Sequence, residues 1–189
     1  MLTIAAIASR VVALLFGAVV LGLSVTLAKQ QKEGSPPSET SFGSFTGAFG
    51  IIASDIGLAS IWISMISPIT TLVLDALASI FYLAGGIALV LAMKSVKSCT
   101  ATDNASDAAR FNNKILNGGC VTDDNGNPWC YVGRDENSDG VHPDLIGRCQ
   151  RAQADYVFEF LGFVVALGLV AVSFLAYRRG GIRSSRTYA

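Results

Sequence analysis

Four long apolar stretches, separated by shorter polar segments, dominate the pattern of hydrophobic and polar positions along the chain. Each has the roughly 17 to 25 predominantly apolar residues that a helix needs to cross the hydrocarbon core of a bilayer. The stretches lack the alternation of barrel strands, and in lipid only helices and closed barrels satisfy their own backbone groups. The pattern therefore predicts four membrane-spanning helices, at about residues 11–28, 42–66, 69–93 and 156–177.

The segments between these stretches predict how the helices are connected. Ser67 and Pro68 interrupt the apolar run between the second and third stretches, which predicts a short turn and an antiparallel hairpin. Residues 94–155 form a long loop before the fourth stretch, and residues 178–189 form a tail behind it. We therefore expect one domain over residues 1–189, an all-α bundle of four transmembrane helices.

The first stretch supports two interpretations. Arg10, the apolar run after it and the small residues near Ala28 resemble the basic flank, apolar core and cleavage site of a signal peptide. The run continues to Ala28, however, which is longer than the roughly 7 to 15 residues of such a core and favours a membrane helix. Both interpretations place the later helices on the same sides of the membrane.

Composition agrees with a membrane protein. Hydrophobic residues make up 51% of the chain and charged residues only 15%, whereas a soluble domain has about 25% charged residues. This hydrophobicity also excludes a disordered chain. The 14 basic and 14 acidic residues cancel to a net charge of zero, which argues against a nucleic-acid partner because such a partner requires a basic face.

The distribution of basic residues predicts the sidedness of the helices. The long loop, residues 94–155, mixes seven basic residues with nine carboxylates, whereas the tail has no acidic residue. Cytoplasmic segments carry an excess of lysine and arginine, so both termini are expected in the cytosol, and residues 28–41 and 94–155 outside. The four tail arginines are candidates for contact with lipid headgroups: Arg178, Arg179, Arg183 and Arg186.

All four cysteines lie in the loop that charge assigns to the outside, where disulfides persist. Three pairings are possible. We favour Cys99 with Cys149, because both lie just outside helices 3 and 4, and Cys120 with Cys130, because the turn dipeptide Asn125-Gly126 lies between them. Free thiols remain an alternative, and a zinc site is a weaker one because no C-x-x-C pair occurs. The loop between helices 3 and 4 is thus expected to contain disulfides.

Other motifs in the loop predict little chemistry. Asn104 begins an N-glycosylation sequon, a weak signal because such triplets are common by chance. Residues 135–140 match the first half of an EF-hand loop, but the twelfth position is Ile146 in place of the closing glutamate, which favours a solvated acidic turn. His142, the only histidine, has no nucleophile-and-acid pattern nearby. We therefore expect no catalytic residues, no cofactor and no bound metal.

Two aspartates, Asp55 and Asp75, lie inside the predicted second and third spans. A charged aspartate at a helix centre costs roughly 2.5 to 3.5 kcal/mol, so each should be neutral, paired or turned into the bundle. Counted from Pro68, the two stand at similar depths, which leaves open a shared-proton or ligand relay and a polar clamp that fixes helix pairing. Glu159 is expected to snorkel outward. Hydroxyl donors to the aspartates are available from Ser54, Ser60, Ser64, Thr70, Thr71 and Ser79.

Small residues at four-residue spacing predict close helix contacts, because they let backbones approach where lipid gives no hydrophobic incentive. Such contacts predict a tight bundle and allow self-association. No helix carries a row of polar residues, so the pattern does not predict a pore. The small residues are Gly43 and Gly47, continued by Gly50 and Ser54, then Ala84, Ala88 and Ala92, and finally Gly162 with Ala166.

Three segments carry a family resemblance. They are residues 45–57, an aromatic and small-residue run that contains Asp55; residues 71–91, TLVLDALASIFYLAGGIALVL; and residues 149–160, CQRAQADYVFEF. With Cys99, they make the chain resemble the fungal non-classical export protein family, whose members carry a MARVEL-type four-helix membrane domain. The resemblance implies that Cys99 and Cys149 are partners. The loop departs from the family pattern, because it is longer and contains Cys120 and Cys130.

The resemblance implies a non-enzymatic organiser of the plasma membrane in sterol- and sphingolipid-rich, eisosome-associated domains, with roles in sphingolipid sensing, membrane trafficking or non-conventional export. Membrane lipids, further copies of the chain and other membrane proteins are the implied partners. Claudins fit less well because residues 29–41 are too short and lack cysteine, and tetraspanins because the large loop lacks Cys-Cys-Gly. The alternative hypothesis is a transporter or channel subunit that uses Asp55 and Asp75. An intramembrane enzyme is least favoured.

Overall fold

Four long helices lie side by side, with a small folded segment over one end of the bundle. The computed structural model describes residues 2–63, 65–122, 128–132 and 143–184. The elements are α1 (Leu2–Lys29), α2 (Ser38–Trp62), α3 (Pro68–Met93), α4 (Asn104–Phe111), β1 (Cys120–Thr122), β2 (Pro128–Cys130) and α5 (Pro143–Ser184). This architecture confirms the predicted four-helix membrane bundle with a disulfide-containing loop between the third and fourth long helices.

The long helices contact one another in the cyclic order α1, α2, α3, α5, and consecutive helices are antiparallel. We call the end at which α2 finishes and α3 begins the turn end, and the end with α4 and the strands the loop end. Each long helix contains an apolar segment long enough to cross a membrane. Large apolar side chains on all four point away from the bundle, among them Leu15, Ile52, Ile80 and Val164. The bundle therefore has an apolar outer surface that suits lipid.

Helix boundaries differ from the predicted spans. Helix α1 begins at Leu2, so Arg10 lies within the helix and does not flank it. Helix α2 ends at Trp62, four residues early, because Ile63 is extended. Helix α5 begins at Pro143, so residues 143–155, predicted as loop, are helical. A search for apolar residues finds only the part of a helix that contacts lipid or the core. It does not find the polar turns that extend the helix beyond that part.

The predicted hairpin between α2 and α3 is present. Ser67 is the N-cap of α3, since its hydroxyl accepts a hydrogen bond from the Ile69 backbone N–H at 3.3 Å. Pro68 is the first residue of α3, where its missing N–H costs nothing and its fixed φ suits the helix. The local sequence thus ends one apolar run and starts the next.

The described residues between α3 and α5, 94–122 and 128–132, fold onto the loop end, and we call them the cap. Asn113 donates to the Ala92 carbonyl at 2.8 Å, and Arg148 of α5 donates to the Leu116 carbonyl at 3.0 Å. Asp103 caps α4 by accepting from the Ser106 backbone N–H, and this hydrogen bond lowers the pKa of the carboxyl group. These bonds place an apolar cluster directly over the bundle: Leu27, Leu89, Met93, Ile115, Leu116, Val132, Leu145, Cys149 and Ala152.

Two disulfides hold the cap. The predicted Cys99–Cys149 bond is confirmed, with a Cα–Cα distance of 5.4 Å and a sequence separation of 50. A second bond joins Cys120 to Cys130, which face each other across the β1–β2 ladder. This two-stranded antiparallel sheet departs from the all-α expectation. It is only three residues per strand, too short for a period-two pattern to reveal it.

Glycines pack the helices closely, but on partly different faces from those predicted. Gly47 lies against α1, and a Cβ there would stand 2.8 Å from the Gly17 carbonyl oxygen. Gly43 and Gly162 are also buried between helices of the same chain. The predicted α3 contacts are wrong for Ala84, which is exposed, and incomplete for Ala88, which is half-buried, because the inward face of α3 passes through Gly85 and Gly86.

Replacing Gly47 with leucine is expected to separate α1 from α2. The new Cβ meets backbone atoms of Gly17 and Leu21, which cannot rotate away, and overpacking of this kind costs about 1 to 3 kcal/mol. Unfolding of the purified chain in lipid bicelles measures the loss. Ala84→Leu is the matched control, because Ala84 is exposed and should tolerate the change; equal effects at both positions would contradict the assignment of faces.

Candidate functional site

An ion pair joins three helices near the turn end. Arg10 of α1 forms a bidentate pair with Asp75 of α3; Nη1 donates to Oδ1 and Nη2 donates to Oδ2 at 2.8 Å. Ser173 of α5 donates to Asp75 Oδ2 at 2.8 Å and accepts from Arg10 Nη2 at 3.3 Å. We call these three residues the turn-end cluster. Each is more than nine-tenths buried, so the charges are compensated inside the protein.

Helix α2 also contacts this cluster, and its glycine at position 57 leaves room for the Arg10 side chain. Gly57 of α2 lies directly against the Arg10 guanidinium, and any Cβ there would collide with it. A cavity of about 210 Å³ opens beside the pair, lined among others by Arg10, Thr71 and Ser173. The cluster is therefore a contact of all four long helices. Removing either partner of such a buried pair would leave an uncompensated charge inside the bundle.

Asp55 does not share in this arrangement. Its side chain is exposed on the outer surface of α2, whereas Asp75 is buried and paired with Arg10. The shared-proton hypothesis for the two aspartates is therefore wrong: of the two, Asp75 is paired and turned into the bundle, whereas Asp55 is not turned into it. The buried residues of α2 follow the row Gly43, Gly47, Gly50, Ser54 and Gly57, and position 55 lies on the opposite side of the helix.

The predicted hydroxyl donors also bond elsewhere. Ser54, Ser60 and Thr71 each donate to a backbone carbonyl of their own helix. Thr70 is exposed, Ser79 is buried one turn along α3 from Asp75, and Ser64 lies outside the described residues.

A second polar cluster lies nearer the loop end. Ser24 of α1 donates to Asp155 Oδ2 of α5 at 2.5 Å. Glu159 follows one turn later on α5, and its carboxyl group fits between Gly43 of α2 and Gly85 of α3. Asp155 and Glu159 are fully buried, so the expectation that Glu159 snorkels outward is wrong. The glycines on both neighbouring helices admit the side chain into the bundle.

Several buried oxygen atoms on α2, α3 and α5 have no hydrogen-bond partner among the described residues. They are Asp155 Oδ1, both carboxyl oxygens of Glu159, Thr46 Oγ1 and Tyr82 Oη. Tyr82 Oη lies against Gly50 of α2, so the tyrosine hydroxyl enters from α3. We call Ser24, Thr46, Tyr82, Asp155 and Glu159 the carboxyl cluster. Unpartnered buried polar atoms are uncommon in folded proteins, so their concentration in one place is the main chemical feature of the interior.

An apolar layer separates the two clusters. Each long helix has one residue at the turn-end cluster and another at the carboxyl cluster. On every one of these helices, a buried apolar residue lies between the two. On α1, for example, Val20 lies between Arg10 and Ser24, and on α5 Ala166 lies between Ser173 and Glu159. The layer consists of Val20, Ala53, Ala78, Ala166 and the ring of Tyr82. The layer is mainly apolar, but the hydroxyl groups of Ser54 and Ser79 are also buried at this depth.

Other predicted site residues are on the surface or outside the described ranges. Asn104 is exposed at the start of α4, a position open to modification. Arg178 is exposed, with its guanidinium 6.0 Å from the Phe174 ring centroid. Arg179 and Arg183 lie on the last turns of α5. Arg186, His142 and residues 135–140 lie outside the described residues. No group of metal-binding side chains occurs among the described residues.

Sequence reasoning missed the most informative partners. Arg10 was interpreted as a flank of the first helix, and Asp155 as part of the loop, because both stand at the edge of an apolar run. The helical spacing of small and polar residues could have indicated that both residues face inward. Arg10, Gly17 and Ser24 recur every seven residues on α1, and all are buried, while Ala152, Asp155 and Glu159 continue at spacings of three and four on α5.

Comparison with known proteins identifies a family. A family model described as MARVEL, a membrane-associating domain, matches residues 3–172 of the 189-residue chain. This range contains Arg10, Asp75 and the whole carboxyl cluster. Neither the curated proteins nor the solved structures gave a match.

Proposed function

This chain belongs to the MARVEL family of membrane-associating domains, and on this basis we propose that it is a non-enzymatic organiser of lipid and protein microdomains in the plasma membrane. The proposal extends to eisosome-associated, sterol- and sphingolipid-rich domains of the kind that the fungal non-classical export family implies. Sphingolipid sensing, membrane trafficking or non-conventional export would be the process served. Membrane lipids and other membrane proteins, including further copies of this chain, would be the partners.

One observation carries the proposal: the bundle has an apolar outer surface on every side and an interior interrupted by an apolar layer. A protein built in this way interacts laterally, through its lipid-facing surface, more readily than it conducts solutes along its axis. The outer surface includes a row of aromatic rings on α2 and α3 that contact one another edge to face or at a tilt. These rings belong to Phe42, Phe45, Phe49 and Phe81, with neighbouring centroids 5.0 to 6.3 Å apart.

Reconstitution in giant vesicles tests this function. The labelled full-length chain is placed in vesicles of sterol, sphingolipid and unsaturated phospholipid in which two liquid phases coexist. We expect the chain to concentrate in one phase or at the boundary, and to change domain size as its surface density rises. An even distribution over both phases, with domain size unchanged, would contradict the proposal.

The transporter hypothesis has less support. Asp75 is neutralised by Arg10 and Asp55 lies on the outer surface, so the two groups do not form a common ion site. Proteoliposomes that contain the chain should therefore conduct protons and monovalent cations no faster than empty vesicles. Flux that depends on the chain and disappears in the Asp55→Asn variant would favour the transporter instead.

The basic tail, residues 178–189, is the basis for the proposed orientation of the protein in the membrane and for its proposed preference for anionic lipid. We propose that both termini face the cytosol, where the tail contacts anionic lipid. Each arginine near such a surface contributes about 1 kcal/mol. Replacing Arg178, Arg179, Arg183 and Arg186 together with glutamine is expected to reduce anionic-lipid enrichment around the protein at least about tenfold. Energy transfer between a tail label and labelled phosphatidylserine measures this enrichment.

The matched control removes charge at the other end of the bundle. Lys94 and Lys97 are exposed beyond the end of α3, so Lys94→Gln with Lys97→Gln should leave energy transfer at the tail unchanged. High salt should diminish the wild-type signal, because exposed charges are screened. A salt-independent signal, or one that survives in the tail variant, would show that the arginines do not attract lipid.

A further inference from the structure

The buried carboxyl groups of Asp155 and Glu159 on α5 have no basic partner among the described residues, unlike the buried carboxyl group of Asp75. Asp75 has an arginine partner, but no described basic side chain forms a salt bridge with Asp155 or Glu159. Arg148, one of the basic residues nearest to them along α5, donates to the Leu116 carbonyl, and Arg151 is exposed. Among the described residues, the one hydrogen bond to either carboxyl group comes from Ser24.

The helices packed against this pair also supply no positive charge. Helix α1 contributes the Ser24 hydroxyl, α2 contributes Gly43 and the Thr46 hydroxyl, and α3 contributes Gly85 and the Tyr82 hydroxyl. Tyr82, which is neutral when protonated, is the titratable group among them. An isolated carboxylate in such surroundings is costly enough that the group binds a proton instead. Two carboxylates one turn apart also repel each other.

The site is built and closed. A Cβ at Gly43 would lie 3.3 Å from Glu159 Oε1, and one at Gly85 would lie 3.0 Å from Oε2, so both glycines are needed to admit the carboxyl group. The apolar cluster beneath the cap lies immediately toward the loop end. Leu27 and Leu89 come about one turn after Ser24 and Gly85, and Ala152 comes about one turn before Asp155 on the antiparallel α5. The apolar layer closes the other side. Bulk water therefore does not reach the pair while the helices are packed.

We propose that Asp155 and Glu159 form an intramembrane proton-binding site that holds protons while the four helices are packed and releases them when the helices separate. The neutral acids supply O–H donors, and the buried hydroxyl oxygens of Thr46 and Tyr82 on the neighbouring helices have no partner of their own. Proton binding and helix packing are therefore linked. Rising pH at the loop end would loosen the bundle, and this gives a lateral organiser a means of responding to its surroundings.

Infrared spectroscopy of the full-length chain in lipid nanodiscs tests the site directly. The C=O stretch of a protonated carboxylic acid is separate from the carboxylate bands. We expect wild type at neutral pH to show this stretch, and Glu159→Gln and Asp155→Asn each to remove part of it. Glu39→Gln is the matched control, because Glu39 pairs with Lys114 at 2.7 Å and is expected to be ionised. An absent stretch, or one that neither variant changes, would overturn the proposal.

Stability as a function of pH provides a second readout, which can be made on the wild-type chain. The packed bundle binds more protons than the separated helices at neutral pH, so its unfolding equilibrium constant should rise tenfold per pH unit for each proton held. Glu159→Gln, which imitates the neutral acid, should fold and should reduce this slope. A flat wild-type profile would overturn the proposal. Stabilisation by sodium, but not by choline, at constant pH would identify a metal-cation site and would also overturn it.

Discussion

Replacing Asp75 with leucine is expected to destabilise the bundle by about 3 to 5 kcal/mol. The substitution leaves the Arg10 guanidinium buried without its carboxylate, and Ser173 loses an acceptor as well. Arg10→Met should cost a similar amount, since it leaves Asp75 as the uncompensated charge. Unfolding by steric trapping in bicelles measures both losses in a lipid environment.

The double variant Arg10→Met with Asp75→Leu separates the cost of an unpaired charge from the value of the pair. Because both charges are absent, it should recover most of the loss and stand well above either single variant, as replacement of a buried pair by apolar residues often does. Asp55→Leu is the matched control, because Asp55 is exposed on α2 and has no buried partner to strand. Strictly additive losses in the double variant would contradict the pairing.

Removing the Cys99–Cys149 disulfide is expected to cost about 4 kcal/mol, the chain-entropy estimate for a loop of this length. The bond closes 50 residues of sequence and ties the start of the cap to α5. The Cys99→Ala, Cys149→Ala variant should therefore loosen the apolar cluster beneath the cap. The free energy of unfolding in bicelles and amide hydrogen exchange in residues 143–155 measure these two effects.

The second disulfide provides the comparison. Cys120 and Cys130 are separated by 10 residues and lie in a hairpin, so the Cys120→Ala, Cys130→Ala variant should cost less, about 3 kcal/mol. Exchange in α5 should stay close to that of wild type, because this bond does not reach α5. A larger loss from the hairpin bond than from Cys99–Cys149 would show that the cap is not held as described.

Much of the fold could be predicted because a bilayer constrains a sequence strongly. Continuous apolar length identified the four helices, and Ser67 with Pro68 identified the hairpin. The beginning of α5 could not be found in this way, since residues 143–155 are too polar for an apolar search. The β1–β2 hairpin was missed because its strands have only three residues each.

The interior could be predicted only in part. Asp75 was correctly singled out, but its partner was not, because Arg10 lies 65 residues away and no local pattern joins them. Equal depth suggested that Asp55 belonged with Asp75. Depth alone is insufficient, because the rotational phase of each helix decides which side chains face inward, and position 55 is out of phase with the buried row of α2.

Live imaging of a C-terminally tagged copy in its host membrane, before and after sphingolipid synthesis is blocked, tests the proposed organiser most directly. Stable plasma-membrane patches that disperse when sphingolipid is depleted are the predicted result. A uniform distribution that does not respond to lipid depletion would contradict a lipid-responsive organiser.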